Sequence, residues 1–428
     1  MKKNQYMDNQ GMRTVVKCVA RQRCGSNSVS PTKPCDPNMT PKKKSLKSAT
    51  TQTLKQLDFS SAIDIGESPE YLTEQLITYI GNKRLLLPFI GEAVQKVQRI
   101  LGKNKLRMLD LFSGTGIVAR YFKQYASLLF INDLEAYSKV TSDCYLSNGS
   151  DIDQTQLHES LEWLKNSIQN NWTEGFISEL YAPKNEQDIL DTDRVFYTRR
   201  NAAYIDSARL AISKMPKTLQ KFFLAPLIAK ASVHANTSGV FKGFYKNDKG
   251  VGQYGGNAKD ALKRILGEIK IDLPVFSRYE CEVEVTQKDA NQYIKTAKEV
   301  DLAYFDPPYN QHPYGSNYFM LNLVADYKRP SEISEVSGIP TNWNRSKYNK
   351  RNEAADALFE AVAACPAHFV LISYNSEGFV KQEQFTDRLK EMGKVSVCET
   401  PYNTFRGSRN LSGRSIHVTE FLYLLNKS

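Results

Sequence analysis

The chain has 428 residues, with 57 Lys and Arg against 46 Asp and Glu and a formal charge of +11. That length implies two to three domains and room for a large core, and the charge implies a polyanionic partner. No run of about twenty apolar residues and no apolar N-terminal h-region occurs, so neither a membrane span nor a secretory signal is expected. Cysteines stand at 18, 24, 35, 144, 281, 365 and 398 with no C-x-x-C pair. Reduced thiols in a cytoplasmic protein, and no metal site, are expected.

Residues 1–50 carry eleven basic side chains against two acidic ones, so most of the net charge sits there. Residues 1–68 are polar, rich in Ser, Thr, Asn and Lys, and without periodicity, which predicts a disordered leader. Its Pro41-Lys42-Lys43-Lys44 run either touches phosphates non-specifically or has no function. Order is expected from near Leu72. Tyr79-Ile80-Gly81-Asn82-Lys83 holds a tight-turn pair before an apolar run and an amphipathic helix over 92–103.

Leu106 to Phe112 reads as a buried strand, Ser113-Gly114-Thr115-Gly116 as a glycine turn, and Ile117 to Phe122 as a helix. Strand, glycine turn and helix open a nucleotide-binding α/β unit, which puts Asp110, Phe112, Gly114 and Gly116 on the cofactor side. The next strand, Leu128 to Ile131, ends at Asn132-Asp133. Asp133 suits an acid that accepts from ribose hydroxyls. With no phosphate cradle in view, an adenosine ligand without phosphates fits best, such as S-adenosylmethionine.

The α/β pattern breaks over about 146–280. Residues 151–193 hold ten acids and two lysines, whereas 194–264 hold fourteen basic residues and three acids. The second stretch reads as a basic module for nucleic acid, through Arg199, Arg200, Asn236, Thr237, Ser238, Lys242 and Lys246. The alternative is a solvated charged face. The pattern resumes at Glu282 to Thr286, after which Asp289 is either an acceptor for an adenine amine or a helix cap.

Leu302 to Phe305 then runs into Asp306-Pro307-Pro308-Tyr309. An adenine amine is a poor nucleophile because its lone pair is delocalised into the ring. It needs acceptors for both N–H bonds. The Asp306 carboxylate supplies one, and the carbonyl of Pro307, aimed by a stiff turn, supplies the second. Tyr309 offers a flat face on which a base can stack. A methyl donor that is already a sulfonium requires no metal. Asn342 to Arg351, with Arg345 and Lys347, suits a surface loop over DNA, as does the basic loop with Arg406 and Arg409 inside a C-terminal hairpin, 394–402 and 415–425.

In this order the motifs resemble the D12-class, Dam-like DNA adenine-N6 methyltransferases, over about residues 72–428. The resemblance rests on Tyr79 to Lys83, Leu109 to Gly116, Asn132-Asp133 and Asp306 to Tyr309. It implies a Rossmann-like α/β fold with a mostly parallel sheet, an antiparallel C-terminal strand and an inserted DNA-recognition domain. It also implies S-adenosylmethionine as donor, double-stranded DNA as substrate, and cofactor contacts from Tyr79, Lys83, Asp133 and Asp306. Many members carry Trp where Tyr79 stands. The expected division is 1–68 leader, 69–145 catalytic, 146–280 target recognition and 281–428 catalytic. A monomer in the nucleoid of a prokaryotic cell is expected, with a companion restriction endonuclease left open. RNA adenine or cytosine-N4 methylation, and a catalytically inactive DNA-binding regulator, are the rival readings.

Overall fold

The computed structural model describes residues 17–18, 66–73, 77–259, 261–403 and 417–427. The lysines at 42–44, Cys24, Cys35 and the loop with Arg406 and Arg409 lie outside them.

Seven strands form the sheet: β1 Leu106–Asp110, β2 Ala126–Asp133, β3 Glu282–Gln287, β4 Val300–Phe305, β5 Ala367–Asn375, β6 Lys394–Asn403 and β7 His417–Asn426. Their order is β3-β2-β1-β4-β5-β7-β6, and Lys17–Cys18 adds a two-residue antiparallel edge beyond β6. Strands β1 to β5 pair in parallel, and β7 runs antiparallel to both β5 and β6. This is the expected Rossmann-like, mostly parallel sheet, with the expected antiparallel C-terminal strand inserted beside β5.

Burial explains the patterns. Every residue of β4 is buried, as befits a central parallel strand covered on both faces. From Leu302 to Phe305, Leu302 and Tyr304 join one apolar cluster and Ala303 and Phe305 the other, so successive side chains serve opposite faces. At the edge, β3 exposes Glu282 and Glu284, charges that discourage further strand pairing.

After β1 the chain builds β2 and β3 to one side, then returns to place β4 on the other side of β1. The sheet therefore reverses between β1 and β4, and a crevice opens at their carboxyl ends. The glycine turn leaves one of these strands and the D-P-P-Y turn leaves the other.

Between β2 and β3 the described chain carries helices Ala136–Tyr145, Gln154–Asn170, Phe176–Tyr181, Arg199–Ser213, Lys217–Val233 and Leu262–Leu266, with long loops over 182–198 and most of 234–281. Most of their buried apolar residues belong to the same apolar cluster as one face of the sheet. The charge contrast expected here folds back on itself. Arg199 pairs with Glu174 from the acidic stretch, and Arg200 with Glu268. Arg264 donates to the carbonyls of Val233, Ala235 and Thr237, closing the end of a helix. Three arginines of the basic module are thus engaged within the protein, while Lys214, Lys217, Lys242, Lys249, Lys259 and Lys263 are exposed. Among the described residues, no helix is long and apolar enough to cross a membrane.

Candidate active site

The turn after β1 is fixed by its backbone. Leu111 N–H donates to the Tyr304 carbonyl at 3.1 Å and Ser113 N–H to the Asn132 carbonyl at 3.1 Å. Gly114 has φ +53° and Gly116 φ +75°, a region where a side chain is strained. A Cβ on Gly114 would also come 3.2 Å from the Tyr79 ring. Asp133 closes the turn, accepting from Gly114 N–H at 2.7 Å and from Glu135 N–H at 2.9 Å.

These elements line a cleft that also takes in Lys83, Asp110, Phe112, Asp289 and Asp306. The sheet reversal thus brings most of the expected residues to one cleft, while Gly116, Pro307 and Tyr309 do not line it. Tyr79 stacks on Tyr318 at 4.6 Å and Tyr314 at 5.0 Å between ring centroids, and its hydroxyl lies 3.0 Å from that of Tyr137. Asp289 caps the helix Ala290–Ile294 through Gln292 N–H while still facing the cleft.

The cleft is rich in carboxylates. Asp110 is buried, and neither oxygen accepts a well-formed hydrogen bond among the described residues. Burial, and then the nearby Asp306 and Asp133, push its proton affinity well above the usual carboxylate range. Burial likewise raises Glu135 to about 7, although Asn322 and Asn344 donate to it. Such a wall suits a cationic ligand with hydroxyls. S-adenosylmethionine, with its sulfonium, ammonium and ribose, matches that donor set: Asp133 and Asp110 would hold it, and it would supply an electrophilic methyl group.

Asp306 sits where β4 ends. Its Oδ1 lies 3.2 Å from Lys83 Nζ, and Lys83 lies 2.8 Å from Glu420 Oε1. Burial works against the Lys83 charge, but the two carboxylates outweigh it and hold its proton well above the lysine range. Burial raises Asp306 to about 6, against the pull of Lys83 and with help from Glu420. Pro308 faces the cleft and Pro307 is buried. Tyr309 departs from expectation. Its ring is only 8 % exposed, edge-on to Tyr374 at 5.9 Å, and it does not line the cleft. Lys83 Nζ lies 5.8 Å over the same ring.

The expected DNA contacts divide. Ser238, Lys242, Arg345 and Lys347 are exposed, and Lys242 Nζ lies 3.4 Å from His312 Nδ1, just past the catalytic turn. Lys246 is half-buried against Phe244. Arg199 and Arg200 are engaged by acids. Asn236 is fully buried, donating to the Val195 and Gln253 carbonyls and accepting from Gly255 N–H, and Thr237 is buried beside it. Those two side chains shape the loop and present no surface to DNA, because the loop's turns need their amide and hydroxyl groups.

Glu135, Tyr314, Asn344, Tyr348 and Glu420 were not singled out from the sequence. Glu135 had a signal, lying two residues past Asp133. The loop with Asn344 and Tyr348 reads as surface, yet both line the cleft.

The D12 class N6 adenine-specific DNA methyltransferase model matches residues 79–359. The Type II methyltransferase M.NlaIII of Neisseria lactamica is 29% identical over 361 residues, covering 82% of this chain and 100% of the relative. The Type II methyltransferase M.CviAII of Paramecium bursaria Chlorella virus 1 is 29% identical, over 82% of this chain and 98% of its own length. The modification methylase StsI of Streptococcus sanguinis is 28% identical, and the match spans only 52% of that longer protein. A matched span running from the Tyr79 turn past the D-P-P-Y corner includes both walls of the cleft, and the chain belongs to the D12 class of N6 adenine-specific DNA methyltransferases.

Proposed function

We propose that this enzyme moves a methyl group from S-adenosylmethionine to the N6 amine of an adenine extruded from duplex DNA, as the modification partner of a restriction endonuclease. The observation that carries the reading is Asp306, held 3.2 Å from Lys83 at the rim of a carboxylate-lined cleft that also contains the glycine turn. Extruding the base costs roughly a few kcal/mol. The Asp306 carboxylate and the Pro307 carbonyl accept hydrogen bonds from the two N6 N–H groups and keep the nitrogen lone pair aimed into the cleft. As the N–C bond replaces the S–CH3 bond, leaving S-adenosylhomocysteine, the surplus N6 proton passes to Asp306. Much of the acceleration is then positioning and charge placement. Ser238, Lys242, Arg345 and Lys347 are placed to meet phosphates, with residues 146–280 supplying target recognition.

Tritium transfer from labelled S-adenosylmethionine to DNA, followed by nucleoside mass spectrometry, tests this. N6-methyladenine is expected. Asp306→Ala is expected to abolish transfer while DNA binding survives. Near-wild-type turnover in that variant, or N4-methylcytosine as the product, would sink the reading.

A further inference from the structure

Glu420 lies on β7, opposite Asn375 of β5 and Thr400 of β6, and is 1 % exposed. The residues that follow it, Phe421 to Leu425, are buried, so an acid in this strand is costly unless paired. It is paired twice. Lys83 Nζ lies 2.8 Å from Oε1, and Ser373 Oγ of β5 donates to the same oxygen at 2.7 Å. The ammonium reaches Asp306 at 3.2 Å, the longer of its two ion pairs. Lys83 and Asp306 line the cleft, and Glu420 stands behind them.

We infer that Glu420 is a positioning residue for methyl transfer: it anchors the Lys83 ammonium so that Asp306 is oriented without losing its capacity to accept from the substrate amine. The inference rests on the reading under Proposed function. One ammonium facing one carboxylate would close into a tight pair and blunt that carboxylate as an acceptor. Shared between two, it leaves the cluster with a net negative charge, and only Asp306 presents that charge to the cleft. Ser373 fixes Glu420 from the far side. Asp306 also feels Asp110 from β1, Tyr304 from its own strand and Tyr314 from the segment after the turn. Lys83 also feels Tyr304 and Tyr314 and lies 5.8 Å over the Tyr309 ring, but its ion pairs among the described residues are those to Asp306 and Glu420.

Neutralising Glu420 removes a neighbouring negative charge and releases Lys83 onto Asp306. Both changes make Asp306 easier to ionise and poorer as an acceptor. The experiment compares wild type, Glu420→Gln, Glu420→Asp and Ser373→Ala by labelled methyl transfer to DNA across about pH 5 to 9, alongside thermal unfolding. In Glu420→Gln, kcat is expected to fall about tenfold or more, with the acid limb of kcat/KM moved to lower pH. Glu420→Asp is expected to recover part of kcat, and Ser373→Ala to show a smaller change in the same direction. A Glu420→Gln enzyme with wild-type kcat and an unmoved limb overturns the inference. So does a loss of kcat that only tracks loss of folded protein. Should Glu420→Gln fail to fold, the limb in Ser373→Ala decides. A wild-type enzyme that transfers no methyl group to DNA overturns the functional reading instead.

Discussion

Gly114 donates its backbone N–H to Asp133 Oδ2 at 2.7 Å, tying the turn after β1 to the tip of β2. The other Asp133 oxygen holds Glu135 N–H, so one carboxylate sets the shape of the cleft wall. Asp133→Ala leaves two backbone donors without this acceptor, a loss of about 1.5–3 kcal/mol for a charged hydrogen-bonding group. The variant is expected to unfold at lower temperature and to bind S-adenosylhomocysteine about tenfold or more weakly, since tenfold is about 1.4 kcal/mol. Calorimetric titration measures this, and unchanged affinity would remove Asp133 from the cofactor site.

Glu135 makes stability depend on pH in a stated direction. Burial raises its carboxyl from 4.5 to about 7, so the folded state holds this proton more tightly than the unfolded chain. Its contribution is greatest below the unfolded value and is lost as pH rises through about 7. The shift corresponds to about 3 kcal/mol between the two limits. Glu135→Gln keeps an oxygen for Asn322 and Asn344, and is expected to raise the unfolding midpoint at about pH 8 and to flatten the slope between about pH 4.5 and 7. Chemical denaturation of the cofactor-free protein at several pH values checks it. A slope identical to wild type would show that another group titrates.

Asp306 predicts the acid limb of activity. Burial lifts its carboxyl to about 6, and the proposed mechanism needs the ionised form to accept from the amine. For the wild-type enzyme, kcat/KM is expected to fall as pH drops through about 6. An initial-rate profile with saturating cofactor shows this. A flat profile down to the ordinary aspartate range would mean that Asp306 is not the titrating acceptor.

The parts of this site that were legible in the sequence are local. A buried strand followed by glycines with no room for side chains, and a stiff Pro-Pro corner after an apolar run, write their geometry into adjacent residues. The sheet reversal that joins them follows from the order of those units. Other features depend on contacts between distant segments. Glu420 meets Lys83 only because β7 inserts beside β5, and Asn344 turns inward because Glu135, on a different strand end, accepts from it. The burial of Tyr309 is of the same kind, with Tyr374 of β5 in an edge contact and Lys83 over its ring. Charge is a coarse signal. A count over 194–264 cannot distinguish an arginine that faces water from Arg264, which closes a helix, or Arg209, which is buried against Tyr327.

Asn236 and Lys242 stand six positions apart and are expected to fail in different ways. The Asn236 side chain makes three hydrogen bonds to backbone in a fully buried setting, so Asn236→Ala leaves donors and acceptors unmatched at about 1–3 kcal/mol each. It is expected to lower the unfolding temperature of the free protein. Lys242 is exposed beside His312, at the rim reached from the catalytic turn. Lys242→Ala is expected to leave folding alone and weaken DNA binding uniformly across sequences, reducing the slope of log affinity against log salt by about one. Fluorescence anisotropy with labelled duplexes at several salt concentrations, beside thermal unfolding, separates the two. If Lys242→Ala kept the wild-type salt slope, the DNA path would have to run elsewhere. If Asn236→Ala lost DNA affinity with its folding intact, the buried amide would have to become accessible when DNA binds.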